Sequence, residues 1–91
     1  MSIINKMPFL LHHASKKVEP MKISYKKLWI KLAEQELSKV EFRENLNLSP
    51  GTLTKLNKGE EVSMSILLRI CEYFKCDIGD ICEAVPVEPK N

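Results

Sequence analysis

Residues 46–60, with the sequence LNLSPGTLTKLNKGE, decide the fold of this chain, because they place proline and glycine side by side where a helix begins. Ser49 is the kind of residue that caps a helix, and Pro50 suits the first helical position, where a backbone N–H is not needed. Leucines then repeat at helical spacing, and Gly59 favours the left-handed conformation in which many helices end. The stretch therefore predicts a tight turn followed by a short helix over about residues 50–57.

Helix signals also lie on both sides of this stretch. Residues suited to cap a helix precede five apolar segments of helical period, and they are Ser24, Ser38, Ser49, Ser63 and Asp77. Ser38 is followed three residues later by Glu41, which can complete the reciprocal hydrogen bonds of a capping box. The sequence thus predicts helices over about residues 24–36, 39–46, 50–57, 63–75 and 77–84. Their inward faces are expected to include Ala33 in the first helix and Met64 in the fourth.

The predicted fold class is all-α, a compact bundle of five helices. No segment alternates between apolar and polar residues as a half-buried strand does, although residues 22–24 could pair as a short extended piece in an assembly. The 91 residues make one small domain. No apolar run approaches the roughly 20 residues that span a bilayer. We therefore expect a cytoplasmic protein without a membrane partner.

The sequence divides into three parts. Residues 1–22 are expected to form a leader or arm, because they contain Pro8 and Pro20 and show no clear period. Such chain ends can be disordered. The orderly pattern runs over residues 23–84, which we expect to be the folded domain, and residues 85–91 form a short tail that is interrupted by proline.

The cysteines and histidines do not predict a metal or cofactor site. Cys71, Cys76 and Cys82 are spaced by five and six residues, which matches neither a disulfide framework nor the paired ligands of structural zinc. His12 and His13 have no other histidine in the chain to complete a site. We therefore expect reduced thiols, no metal and no cofactor.

Charge is distributed unevenly along the chain. The net charge is +2, but residues 1–24 and 25–58 each carry +3, whereas residues 59–91 carry −4. This asymmetry indicates one half that faces a polyanion and an acidic half that faces solvent or a partner. Chance clustering on an ordinary solvated surface is the alternative interpretation.

Two predicted helices and the break between them have the spacing of a helix-turn-helix, the device that lays its second helix in the DNA major groove. The inward positions of such a unit are apolar here: Phe42, Leu46, Leu48, Leu53 and Leu56. One helix precedes the unit, and KGEEVS followed by LLRICEYFKCDIGDI closes the pattern. In this combination the chain resembles the Cro/cI-type (lambda-repressor-like, xenobiotic response element) helix-turn-helix family of bacterial and phage regulators, over residues 23 to about 84.

Two positions differ from the pattern of that family. Asn47 stands where the resemblance implies glycine, and asparagine tolerates the left-handed conformation better than other residues with a side chain. Arg43 stands where a small residue is usual, so we expect its aliphatic part to pass the next helix on the way to water.

The resemblance also implies which residues contact DNA. The implied base-contact positions are Pro50, Gly51, Thr52 and Lys55, and the implied phosphate-contact positions are Ser38, Lys39, Ser49, Thr54, Asn57 and Lys58. Pro50 and Gly51 offer no side-chain hydrogen bond, so we expect few direct hydrogen bonds to base edges. Lys55 can donate to guanine O6 or N7, and Thr52 can contact a thymine methyl group or a phosphate. For Lys55 the alternative is an ordinary exposed helix lysine.

The leading functional hypothesis is a small sequence-specific regulator that binds double-stranded DNA as a homodimer, because one recognition helix reads too few base pairs by itself. A protein-binding accessory or antitoxin-like module that uses the acidic C-terminal third is the alternative. An enzyme is disfavoured, since no acids, bases or metal ligands converge in the pattern.

Overall fold

The computed structural model describes residues 20–87. The expected leader lies almost wholly outside the described residues, as does the end of the expected tail. The elements in chain order are β1 (Met21–Ser24), α1 (Lys26–Glu34), α2 (Lys39–Leu46), α3 (Pro50–Lys58), α4 (Met64–Phe74), one 3₁₀ turn (Ile78–Asp80) and β2 (Glu83–Pro86). No helix in this part of the chain is long and apolar enough to cross a membrane.

The mainly helical fold is confirmed, but the predicted fifth helix over 77–84 is wrong. Asp77 does cap a turn, since its carboxylate accepts from the Ile78 N–H at 2.8 Å. That turn is a single 3₁₀ turn, after which the chain becomes the extended strand β2. Pro86 disfavours helical conformation at Val85, the residue before it, and so favours the extended strand at this end of the described chain.

Strand β2 pairs antiparallel with β1 and forms a two-stranded sheet, so the fold is not purely α-helical. Met21 lies opposite Pro86, and Ser24 lies opposite Glu83. The extended piece foreseen at residues 22–24 therefore pairs within one chain. Four-residue strands are too short to show an alternating pattern, which is why sequence periodicity missed β2.

The first helix is shorter at both ends than the predicted range of 24–36. Ser24 belongs to β1, and its side-chain oxygen accepts a hydrogen bond from the Lys26 N–H at 3.3 Å. At the other end Glu36 takes the left-handed conformation, with φ of 54°, and this ends the helix.

The remaining caps agree with the sequence prediction. Ser38 and Glu41 form the reciprocal bonds of a capping box at the start of α2. The side chains of Ser49 and Ser63 accept from backbone N–H groups in the first turns of α3 and α4. Gly59 ends α3 with φ of 71°, as predicted.

The core lies where the four helices, the sheet and the 3₁₀ turn meet. Its most deeply buried large side chains are Phe42, Leu28, Leu56, Ile70 and Ile81. Two residues expected on inward faces are exposed instead, Ala33 and Met64, because each lies at the border of the apolar stripe of its helix. The Tyr25 hydroxyl donates to the Glu60 carbonyl oxygen at 2.8 Å, which fastens the start of α1 to the loop between α3 and α4.

Candidate nucleic-acid interface

The turn between α2 and α3 consists of residues 47–49 and has a defined backbone conformation. Asn47 adopts the left-handed conformation with φ of 57°. The next N–H, that of Leu48, then donates back to the Arg43 carbonyl oxygen at 2.9 Å, and the Leu48 side chain is buried. These bonds set the angle at which α3 leaves α2, and they keep α3 on the surface of the domain.

Arg43 helps to hold this turn. Its Nη1 donates to the Leu48 carbonyl oxygen at 3.2 Å, and its Nη2 lies 3.9 Å from a carboxylate oxygen of Glu44. Arg69 of α4 donates to the Leu46 carbonyl oxygen. The arginine at an unusual position thus binds a carbonyl group at the start of α3, and its guanidinium is only partly exposed.

The first turn of α3 presents backbone and short hydroxyl side chains. The Ser49 Oγ accepts from the Thr52 N–H at 3.1 Å and lies 3.0 Å from the Thr52 Oγ1. The Thr54 hydroxyl donates to the Pro50 carbonyl oxygen at 3.0 Å. Each hydroxyl oxygen retains acceptor capacity, but part of its hydrogen bonding is already used within the helix.

Gly51 has no conformational role in this first turn, because its φ is not positive. The nearest heavy atom to an added Cβ there would be the Ser49 Oγ at 3.9 Å, an ordinary van der Waals distance. The absence of a side chain at Gly51 therefore leaves the backbone of α3 open to close approach from outside, without being needed for internal packing.

Lysines occupy the middle and the end of α3. Lys55 and Lys58 are exposed, and among residues 20–87 no ion pair engages either ammonium group. The positions three residues apart place them on neighbouring parts of the helix surface. Both are therefore available to an anionic partner.

A third lysine, Lys39 at the start of α2, lies against α1 and α3. Its Nζ donates to the Asn57 Oδ1 at 2.7 Å and lies 4.1 Å from the centroid of the Trp29 ring. The contact joins the beginning of α2 to the end of α3, and it is a cation–π interaction as well as a hydrogen bond. Sequence reasoning did not identify Trp29 as part of this site, because the contact depends on how the helices cross.

The predicted contact residues fall at a few places on one helix-turn-helix unit. Ser38 and Lys39 begin α2, Asn57 and Lys58 end α3, and the Lys39–Asn57 hydrogen bond brings these two ends together. Of the ten positions Thr52 is half-buried and the others are exposed: Ser38, Lys39, Ser49, Pro50, Gly51, Thr54, Lys55, Asn57 and Lys58. The hydroxyls of Ser38 and Ser49 also serve as helix caps.

The thiols lie apart from this unit, near the end of α4 and the 3₁₀ turn. Burial raises the pKa of the Cys71 and Cys82 thiols above the ordinary value of 9.0, and the ammonium of Lys27 partly offsets this at Cys82. Within residues 20–87 no group of three His, Cys, Asp or Glu residues could hold a metal ion.

Known proteins show the same helical unit. The family model of the Cro/C1-type HTH (helix-turn-helix) DNA-binding domain matches residues 27–87. The crystal structure of the transcriptional regulator VanUg, form II, is similar with a TM-score of 0.74 and 46% sequence identity, over 79% of this chain and 96% of that one. No curated protein matches the chain.

Proposed function

The chain belongs to the Cro/C1-type helix-turn-helix DNA-binding family, and from this premise we propose that it recognises specific double-stranded DNA sequences as a transcriptional regulator. In this proposal α3 enters the major groove, and α2 crosses the sugar-phosphate backbone. The observation that carries the proposal is the exposed surface of α3, which combines an open first turn with two lysines that make no ion pair among residues 20–87.

Base readout is assigned to Lys55 and Thr52. Lys55 donates to guanine O6 or N7, and the Thr52 methyl group contacts a thymine methyl group. Pro50 and Gly51 donate no side-chain hydrogen bond to a base. They contribute by leaving the first turn of α3 small, so that the positive end of the helix dipole can approach a phosphate or a base edge. With so few side-chain donors, specificity also depends on DNA shape and on the spacing of paired half-sites.

The remaining six candidates are assigned to the phosphate backbone, where contacts fix the register without reading sequence. They are Ser38, Lys39, Ser49, Thr54, Asn57 and Lys58. The hydrogen bond from Lys39 to Asn57 supports this assignment, since it orders both side chains before DNA arrives and so lowers the entropy cost of binding.

A homodimer completes the proposal. Two recognition helices separated by one helical turn of DNA, about 34 Å, give the specificity that one short helix lacks. We expect the dimer to act in the cytoplasm on a pseudo-palindromic site.

The test is fluorescence anisotropy on the duplex upstream of the gene for this chain and on a scrambled duplex of equal length, each over a salt series. The expected result is tighter binding to the upstream duplex, with log affinity falling linearly against log salt on both duplexes. Equal affinity for the two duplexes would contradict sequence-specific regulation at that site.

A protein-binding accessory or antitoxin-like module is the second candidate, and the surface of α4 favours it. Met64 and Leu68 lie one turn apart with 58% and 54% of their surface exposed, in the acidic third of the chain. Failure to bind either duplex at low salt would favour this candidate over the regulator.

A further inference from the structure

A crevice of about 320 Å³ lies between the beginning of the described chain and the end of α3. Residues of β1 and of the first turn of α1 line one side, and the last residues of α3 line the other. Its polar or aromatic lining includes Lys22, Lys26, Trp29, Asn57 and Lys58. Only Asn57 and Lys58 of these belong to the contact positions implied by the helix-turn-helix pattern.

The crevice is strongly basic. Lys22, Lys26 and Lys58 are all exposed, and among residues 20–87 no acidic residue lines the crevice. Among residues 20–87 none of these three lysines is in an ion pair. The neighbouring Lys27 differs, because its ammonium donates to the Gly79 carbonyl oxygen at 2.9 Å and lies 3.6 Å from the Glu83 carboxylate.

Asn57 adds a neutral donor to this crevice. Its Oδ1 is occupied as an acceptor by the Lys39 ammonium. Its Nδ2, which has two N–H groups, remains to donate to an anion. A crevice lined by three lysines and an asparagine suits an oxygen-rich, singly charged group such as a phosphodiester.

The crevice is also continuous with the proposed DNA-binding surface, since Asn57 and Lys58 form part of both. The Tyr25 hydroxyl bond to the Glu60 carbonyl oxygen holds the start of α1 against the chain that follows α3. This bond helps to hold β1 and the first turn of α1 beside the last turn of α3, so it contributes to the shape of the crevice.

We propose that this crevice binds a backbone phosphate of the DNA that lies beyond the phosphates bordering the base pairs contacted by α3. The proposal rests on the proposed function and extends the contact surface beyond the helix-turn-helix to Lys22 of β1 and Lys26 of α1. These two lysines act without regard to base sequence, and with Lys58 they neutralise this phosphate at the edge of the site.

The test compares two double variants of equal net charge. Lys22→Gln/Lys26→Gln removes two crevice lysines, and Lys27→Gln/Lys75→Gln removes two lysines that do not line the crevice. Both are measured by anisotropy on the upstream and scrambled duplexes over the same salt series, after thermal melting has established that each variant is folded.

For the crevice variant we expect the slope of log affinity against log salt to become shallower by about 0.9 for each phosphate contact that is lost. The loss should be equal on both duplexes, so the ratio of the two affinities stays unchanged. The control variant should keep the wild-type slope. Equal slopes for the two variants, with wild-type protein still binding DNA, would overturn the crevice proposal and leave the regulator intact.

Ethylation interference on the wild-type protein provides a reading that does not depend on a variant. We expect ethylated phosphates outside the base pairs contacted by α3 to block binding. Interference confined to the phosphates that border those base pairs would overturn the proposal. Failure of wild-type protein to bind any duplex would overturn the proposed function itself, an outcome distinct from equal slopes.

Discussion

At the scale of single residues, we expect Gly51 to favour DNA binding at the expense of stability. Glycine in a helix costs about 1 kcal/mol relative to alanine, and nothing within α3 requires it at this position. Where the first turn of a helix lies against DNA, the absence of a side chain lets the helix backbone approach the DNA more closely. Stability and binding should therefore respond in opposite directions to substitution here.

The Gly51→Ala variant tests this opposition. We expect its free energy of unfolding to rise by about 0.5–1 kcal/mol, because alanine restricts the unfolded chain and fits the helix. Its affinity for target DNA should fall. Urea denaturation and anisotropy measure the two effects. Gly79→Ala is the matched control, since no atom lies within 4 Å of an added Cβ there, and it should leave affinity unchanged.

Lys55 is the residue that best separates base readout from charge. Lys55→Ala should weaken binding to the target duplex by about 1–3 kcal/mol more than binding to the scrambled duplex, if Lys55 contacts a base edge. Anisotropy on both duplexes gives the difference. Lys75→Ala, which removes an exposed charge beyond the end of α4, controls for net charge. Equal losses on the two duplexes would make Lys55 a phosphate contact.

At the scale of elements, the turn between α2 and α3 depends on one left-handed residue and one arginine. Asn47 takes the conformation for which the family usually has glycine, and Arg43 binds the Leu48 carbonyl oxygen that the sharp bend exposes. The turn keeps its shape because its carbonyl groups have donors, and the position of α3 depends on this shape.

Substitutions at Asn47 measure the conformational part of this arrangement. Asn47→Gly should match or exceed the wild-type free energy of unfolding, whereas Asn47→Ala should lower it by about 1 kcal/mol, because alanine has no side-chain group to favour the left-handed region. Chemical denaturation gives both values. Equal stability of the two variants would show that the left-handed conformation is not what limits this turn.

The sequence predicts four helices well, but it misses the paired strands at the two ends of the described residues. Ser38, Ser49 and Ser63 identify helix starts because a cap is a local event, determined by a few neighbouring residues. The sheet is a long-range event between residues about sixty positions apart, and four-residue strands leave no period to detect. A helix was predicted where Asp77 begins only a 3₁₀ turn, since the same cap serves both.

The candidate interface also contains some residues that the sequence could indicate and others that only the folded structure brings together. The resemblance to the helix-turn-helix family implies the contact positions of α3, so sequence reasoning could name Lys55 and Thr52 as candidates. The placement of Trp29 beneath Lys39, and of Lys22 and Lys58 around one crevice, depends on helix crossing and strand pairing. Neither leaves a local pattern, which is why only the folded chain brings these residues together.

At the scale of the whole molecule, buried thiols make stability sensitive to alkaline pH. Burial raises the pKa of Cys71, Cys82 and the Tyr25 hydroxyl, so the folded state holds these protons more tightly than the unfolded chain does. The stability that they contribute is complete below the unfolded pKa and is lost as pH rises through the folded pKa.

We therefore expect the free energy of unfolding, measured with a reductant present, to stay level between about pH 7 and 8 and to decline above about pH 9. Urea denaturation at several pH values measures this. Cys71→Ala/Cys82→Ala should show a shallower decline at the start of this range, with Tyr25 still contributing at higher pH. A decline as steep as in the wild type would assign the effect to other groups.

The pairing of β1 with β2 brings the two ends of the described chain close together. The Val87 N–H donates to the Pro20 carbonyl oxygen at 3.2 Å, so the first and last described residues lie one hydrogen bond apart. The described part of the chain is close to a closed ring. A short peptide linking Val87 to Pro20 would make a circular permutant, with new ends cut in an exposed loop and every strand pair retained.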